Sequence, residues 1–104
     1  MRGKTSSTIQ ARTNPTVLVV DDERDLREVL CDVLNIGGIR VCVAASGREA
    51  IELARRQPPD LIVTDLRLGD CTGLDVIDDI RRDGSATPAV VITGLDGLEL
   101  KEEP

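Results

Sequence analysis

Four short apolar runs, TVLVV (16–20), IRVCVAA (39–45), DLIVTD (60–65) and AVVIT (89–93), leave this chain few ways to fold. Each is too short for a buried helix, rich in β-branched residues and bounded by Pro, Gly, Asp or Ser, so each reads as a strand. Three of them are apolar almost throughout, as expected of strands covered on both faces of a parallel sheet. IRVCVAA instead alternates Ile39, Val41 and Val43 against Arg40 and Cys42, which suits a strand with unequal faces near a sheet edge.

Between the runs the apolar period changes to that of a helix. Leu26, Val29, Leu30, Val33 and Leu34 form one stripe at i, i+3, i+4, i+7, i+8, ended by Gly37 and Gly38. Ser46 with Glu49 has capping-box spacing for a second helix that buries Ala50, Ile51 and Ala54 and stops before Pro58 and Pro59. A loop through Gly69 leads to the same spacing in Thr72 and Asp75, opening a third helix with Leu74, Ile77 and Ile80 that closes at Asp83 and Gly84. Asp96 with Glu99 is placed to cap a last short helix. The order β-α-β-α-β-α-β-α predicts an α/β fold, a doubly wound parallel sheet with right-handed crossovers and helices on both faces.

At 104 residues the chain is one domain at most, and a chain of this size buries roughly 60–65% of its unfolded surface. It has no Phe, Tyr or Trp, so Leu, Ile, Val and Ala must fill the core and stability should be modest. Residues 1–15 are expected to be a flexible tail, with Arg2, Lys4 and Arg12 and no acid, and residues 16–104 the folded domain. The rest of the chain holds 10 basic and 19 acidic residues. Such a body repels phosphate backbones, which argues against direct nucleic-acid binding and favours a cation or a basic partner. Cys31, Cys42 and Cys71 are odd in number and form no C-x-x-C pair, so reduced thiols in a cytoplasm are expected rather than disulfides or a zinc site. No apolar run approaches a membrane span or the hydrophobic core of a secretory signal.

In open parallel sheets, ligands sit beyond the carboxyl ends of the strands, where the strand order reverses. The residues at those ends are Asp21 and Asp22 after the first strand, Asp65 at the end of the third and Thr93 at the end of the fourth. If the first and third strands are neighbours, three carboxylates converge, and like charges at close range oppose one another's ionisation. A hard divalent cation offsets that repulsion, and a site of carboxylate oxygens with few fixed ligands suits Mg2+.

VLVVDDE, LIVTDLRLGDCTGLDVI and VVITG, in that order over Val17 to Gly94, resemble the receiver domain of bacterial two-component response regulators. The resemblance implies a flavodoxin-like topology and a phosphorelay module that accepts a phosphoryl group from a sensor histidine kinase or phosphotransfer protein. By position it makes Asp65 the phosphoacceptor. Asp21, Asp22, Asp65 and the backbone carbonyl of Arg67 become the Mg2+ ligands, and Thr93 the hydroxyl that turns toward the phosphoryl group. Such a module catalyses at most its own phosphorylation and dephosphorylation. Haloacid-dehalogenase-like phosphatases also use an aspartate after a similar strand, but they want an acid two residues later, where Arg67 stands.

The chain also departs from the family pattern. Gly69 occupies a position where the family usually has Pro, so a looser loop is expected. The family's lysine closes a fifth parallel strand, and the lysines here are Lys4 and Lys101 alone. Lys101 lies eight residues after Thr93, too near for a parallel crossover of about a dozen residues or more. A fold lacking the fifth βα unit is therefore expected, with the fourth strand as a bare edge open to homodimerisation. A degenerate or truncated receiver that binds partners without being phosphorylated is the rival reading.

Overall fold

The computed structural model describes residues 15–93 and 99–103, without the side chains of 93 and 99–103. Most of the expected tail, and Asp96, lie outside the described residues. Strand β1 (Thr16–Val20) leads into helix α1 (Arg24–Ile36), β2 (Arg40–Ala44), α2 (Gly47–Arg56) and β3 (Leu61–Asp65). A small hairpin of β4 (Arg67–Leu68) and β5 (Cys71–Thr72) precedes α3 (Gly73–Ile80), a 3-10 turn (Arg81–Asp83), β6 (Ala89–Thr93) and β7 (Glu99–Glu103).

The sheet order is β2-β1-β3-β6-β7, and the first four strands run parallel. The chain therefore leaves β1 toward β2 and returns across β1 to β3, which makes the β1/β3 junction the switch point. Right-handed crossovers put α1 on one face and α2 with α3 on the other. Every residue of β1 is buried, as its unbroken apolar run requires. Leu18, Val20, Ala44, Ala50, Ala54, Leu68 and Val76 form one core cluster under α2 and α3, and Ile62, Ile77, Ala89 and Val91 a second. Without aromatics, Leu18 and Ile62 are the largest fully buried side chains.

The helix on the opposite face is less deeply buried. No residue of α1 is buried. The predicted stripe is split: Leu26, Leu30 and Leu34 are half-buried, while Val29 and Val33 stay 55% and 59% exposed. In α3 the inward position belongs to Val76, and Leu74 is exposed. β2 is an edge strand as expected, with Cys42 and Ala44 against the α2 side and Val43 exposed.

Both capping spacings are used. At α3 the box is reciprocal: Thr72 Oγ1 accepts from the Asp75 amide and Asp75 accepts from the Thr72 amide, at 3.2 and 3.1 Å. At α2, Ser46 Oγ accepts from the Glu49 amide at 3.2 Å, but the Glu49 carboxylate reaches one residue further back, to the Ala45 amide at 2.8 Å. Gly38 and Gly84 take the positive φ angles that end their segments.

Three expectations are corrected. Residues 99–103 form a strand where a helix was expected. A helix of so few residues is marginal without a packing partner, whereas β6 presents a row of unpaired N–H and C=O groups. β7 consequently folds back antiparallel, in register from Ala89↔Glu103 to Thr93↔Glu99, and β6 is not a bare edge. The new edge has the sequence ELKEE, and charged residues discourage strand addition there. The loop through Gly69 is also not open, because Arg67 pairs with Thr72 and Leu68 with Cys71.

The first turn of α3 lies hard against the end of β3. A Cβ on Gly73 would fall on the Asp65 carbonyl oxygen and within 2.8 Å of both Thr64 Oγ1 and Thr64 Cγ2. Gly73→Ala is expected to destabilise the fold by about 1–3 kcal/mol, read as a lower urea midpoint by circular dichroism. An unchanged midpoint would mean that the helix shifts without cost.

Candidate functional site

Asp21 is the first residue beyond β1, and its amide still donates to the Ala44 carbonyl of β2 at 3.1 Å. That backbone bond holds its side chain at the carboxyl end of the sheet, where it is 1% exposed. Its Oδ1 accepts from the Glu23 amide at 2.6 Å, closing an Asx turn into α1. Its Oδ2 is buried with no hydrogen-bond partner among the described residues. Asp22 follows on the surface, and Asp65, half-buried, ends the neighbouring β3. Oxygens of the Asp21, Asp22 and Asp65 carboxylates lie within 4.8 Å of one another.

Burial pushes the Asp21 carboxyl above the usual carboxylate range; the Glu23 amide opposes this, and the charges of Asp65, Asp22 and Glu23 add to it. An ionised carboxylate with an orphaned oxygen is costly in so dry a place. A divalent cation would satisfy that oxygen and offset the mutual repulsion, so the residues present fit a metal ion.

Arg67, at the start of β4, is exposed and pairs through its backbone with Thr72. The Thr93 backbone is one residue past Ile92, which is in register with Asp65, so it reaches the same rim; its side chain lies outside the described residues. The Lys101 backbone stands opposite Val91 in an antiparallel strand and not at the end of a parallel one.

Four residues around the site were not singled out from sequence. Arg27 of α1 donates from Nη1 to the Asp21 carbonyl at 2.7 Å, tying the helix to the acidic turn. Gly73 permits the close approach under Asp65. Asp70, in the hairpin turn, accepts from the amides of Gly47 and Arg48 at 2.9 and 3.0 Å. These bonds, Gly47 foremost, draw its carboxyl below the usual range. A glycine opening each of α2 and α3 was the visible signal for Gly47 and Gly73, whereas nothing in the local pattern marks Arg27 or Asp70.

The family model described as response regulator receiver domain matches residues 17–103. The chain belongs to the response regulator receiver domain family. It is 42% identical over 84 residues to a probable transcriptional regulatory protein, TcrX, of Mycobacterium tuberculosis, over 81% of this chain and 36% of that protein. It is 40% identical over 82 residues to the response regulator protein PilR of Pseudomonas aeruginosa, over 79% of this chain and 18% of that one. The receiver thus spans about a third or less of the length of these relatives. Among solved structures, the chemotaxis response regulator CheY4 of Vibrio cholerae aligns with a TM-score of 0.75 at 30% identity, over 82% of this chain and 72% of that one. The receiver domain of Francisella response regulator 1452 aligns at 0.73 and 30%, over 81% and 69%. The flavodoxin-like α/β fold expected from the sequence is thereby shown. Among the described residues, no helix of this receiver is long and apolar enough to cross a membrane.

The raised Asp21 carboxyl has a pH consequence in the metal-free receiver. The folded protein holds this proton more tightly than the unfolded chain, so the penalty is absent below the ordinary carboxylate pKa and grows as pH rises through the folded-state value. Asp21→Asn is therefore expected to melt higher than wild type at neutral pH without divalent cations, by about 1 kcal/mol or more. The gap should close as pH falls toward about 4. A variant that melts lower at neutral pH would contradict the penalty.

Proposed function

We propose that this receiver takes a phosphoryl group onto Asp65 from a phosphohistidine of a sensor histidine kinase or phosphotransfer protein in the cytoplasm. Mg2+ would be held by Asp21, Asp22, Asp65 and the backbone carbonyl of Arg67. The observation that carries this reading is the meeting of three carboxylates at the β1/β3 junction, one with an orphaned buried oxygen. A Mg2+ ion there supplies charge neutralisation for an incoming phosphoryl group, which is most of what such a transfer needs.

The chain's own residues do the rest. Asp65 presents a carboxylate oxygen at a strand end; that oxygen forms the new O–P bond as the P–N bond of the phosphohistidine breaks, and the departing imidazole nitrogen takes up a proton from solvent. The Gly73 contact and the Leu66 amide, which donates to the Ile92 carbonyl at 3.1 Å, fix the backbone on either side. The product is an acyl phosphate adding about −1.5 to −2 charges. The Thr93 hydroxyl is the group proposed to turn toward it.

The antiparallel course of β7 favours a second reading. Lys101 stands opposite Val91, two register positions short of Thr93, so its backbone is not at the carboxyl rim, and a receiver lacking the family's lysine at that rim would engage partners unphosphorylated. Incubation with a small phosphodonor and Mg2+ separates the readings. One phosphoryl group per chain by intact mass, lost in Asp65→Asn and in chelator, is the expected result. Absence of incorporation at every Mg2+ concentration would leave the second reading.

A further inference from the structure

The backbone carbonyl proposed as a metal ligand belongs to Arg67, in a hairpin of two-residue strands. So short a ladder is weakly held by its own pairing. At its base the Gly73 amide donates to the Leu66 carbonyl at 2.8 Å, and Leu68 is buried in the core cluster. At its tip Asp70 crosses to the N-terminus of α2, its Oδ1 accepting from the Gly47 amide and its Oδ2 from the Arg48 amide. The two bonds span 23 and 22 residues of sequence. Both oxygens of one carboxylate are thus used on consecutive amides, so the tip is fixed in direction as well as in place.

The helix does not need this carboxylate for its ordinary cap, which Ser46 supplies to the Glu49 amide. A second feature also brings the hairpin against α2. A Cβ on Gly47 would fall on Cys71 Sγ and lie 3.1 Å from Val76 Cγ2 and 3.4 Å from Asp70 Oδ1. Only a residue without a side chain lets β5 seat there.

We infer that Asp70 is a positioning residue for the metal: by clamping the hairpin tip to α2 it holds the Arg67 carbonyl at the mouth of the acidic cluster. This inference rests on the metal site proposed above. Partners that orient a ligand from behind typically change metal affinity 10–100-fold when removed. Asp70 touches none of the three carboxylates through any hydrogen bond among the described residues, so its effect must pass through the hairpin.

The test is calorimetric titration of Mg2+ into wild type, Asp70→Ala and Asp70→Asn, at a temperature where circular dichroism shows each folded. Phosphodonor incorporation is measured across the same Mg2+ range. Asp70→Ala is expected to weaken Mg2+ about tenfold or more, and Asp70→Asn less, because an amide oxygen still accepts one of the two bonds. Incorporation should half-saturate at correspondingly higher Mg2+ yet reach the wild-type plateau, a split that general loosening of the fold does not produce. Wild-type affinity in Asp70→Ala, or a lowered plateau with unchanged half-saturation, overturns the inference alone. A wild-type chain that takes up no Mg2+ overturns the metal site, and the inference with it.

Discussion

Repulsion among the carboxylates of Asp21, Asp22 and Asp65 is the physical constraint at the carboxyl end of this sheet. With carboxylate oxygens within 4.8 Å of one another and one acid 1% exposed, the three oppose one another's ionisation. Their convergence follows from topology. β1 and β3 are parallel neighbours, so their carboxyl ends meet where the strand order reverses, the place at which open parallel sheets hold ligands. The surrounding contacts keep the acids there: Arg27 on the Asp21 carbonyl, the Glu23 amide on Oδ1, and Gly73 beneath the Asp65 carbonyl.

The two faces of the sheet are built differently. Under α2 and α3 the core is continuous, because small residues such as Ala50 and Ala54 let the helices approach a sheet of Val, Leu and Ile. In α1 no residue is buried, and Val29, Val33 and Ile36 are exposed. On the far side β7 completes the ladder of β6 in the antiparallel sense. The expectation of dimerisation through an open β6 edge therefore loses its physical basis.

Much of this was legible in the sequence. The strands were visible because TVLVV, LIVTD and AVVIT are unbroken apolar, largely β-branched runs, TVLVV buried throughout and Ile62, Thr64, Ala89, Val91 and Ile92 buried in the other two, and Asp21, Asp22 and Asp65 because each follows or ends such a run. α3 announced itself through the Thr72/Asp75 box. The residues missed are those whose role depends on distant partners: Asp70 reads as an ordinary turn aspartate until the fold brings the α2 amides to it, and Arg27 as a solvated helix charge. β7 was misread as a helix because ELKEE has no strand pattern of its own; the open edge of β6, a tertiary feature, decides its conformation.

If the acidic cluster is the cation site proposed above, filling it relieves the repulsion among its three carboxylates. The most direct measurement is the melting temperature of the wild-type chain at neutral pH against Mg2+ concentration, with NaCl of matched ionic strength as the control. A site that exists only in the folded state raises stability as RT ln(1 + [L]/Kd). The melting temperature should therefore climb with the logarithm of Mg2+ above the dissociation constant and barely move with NaCl. Equal responses to the two salts, or none to either, would contradict the claim.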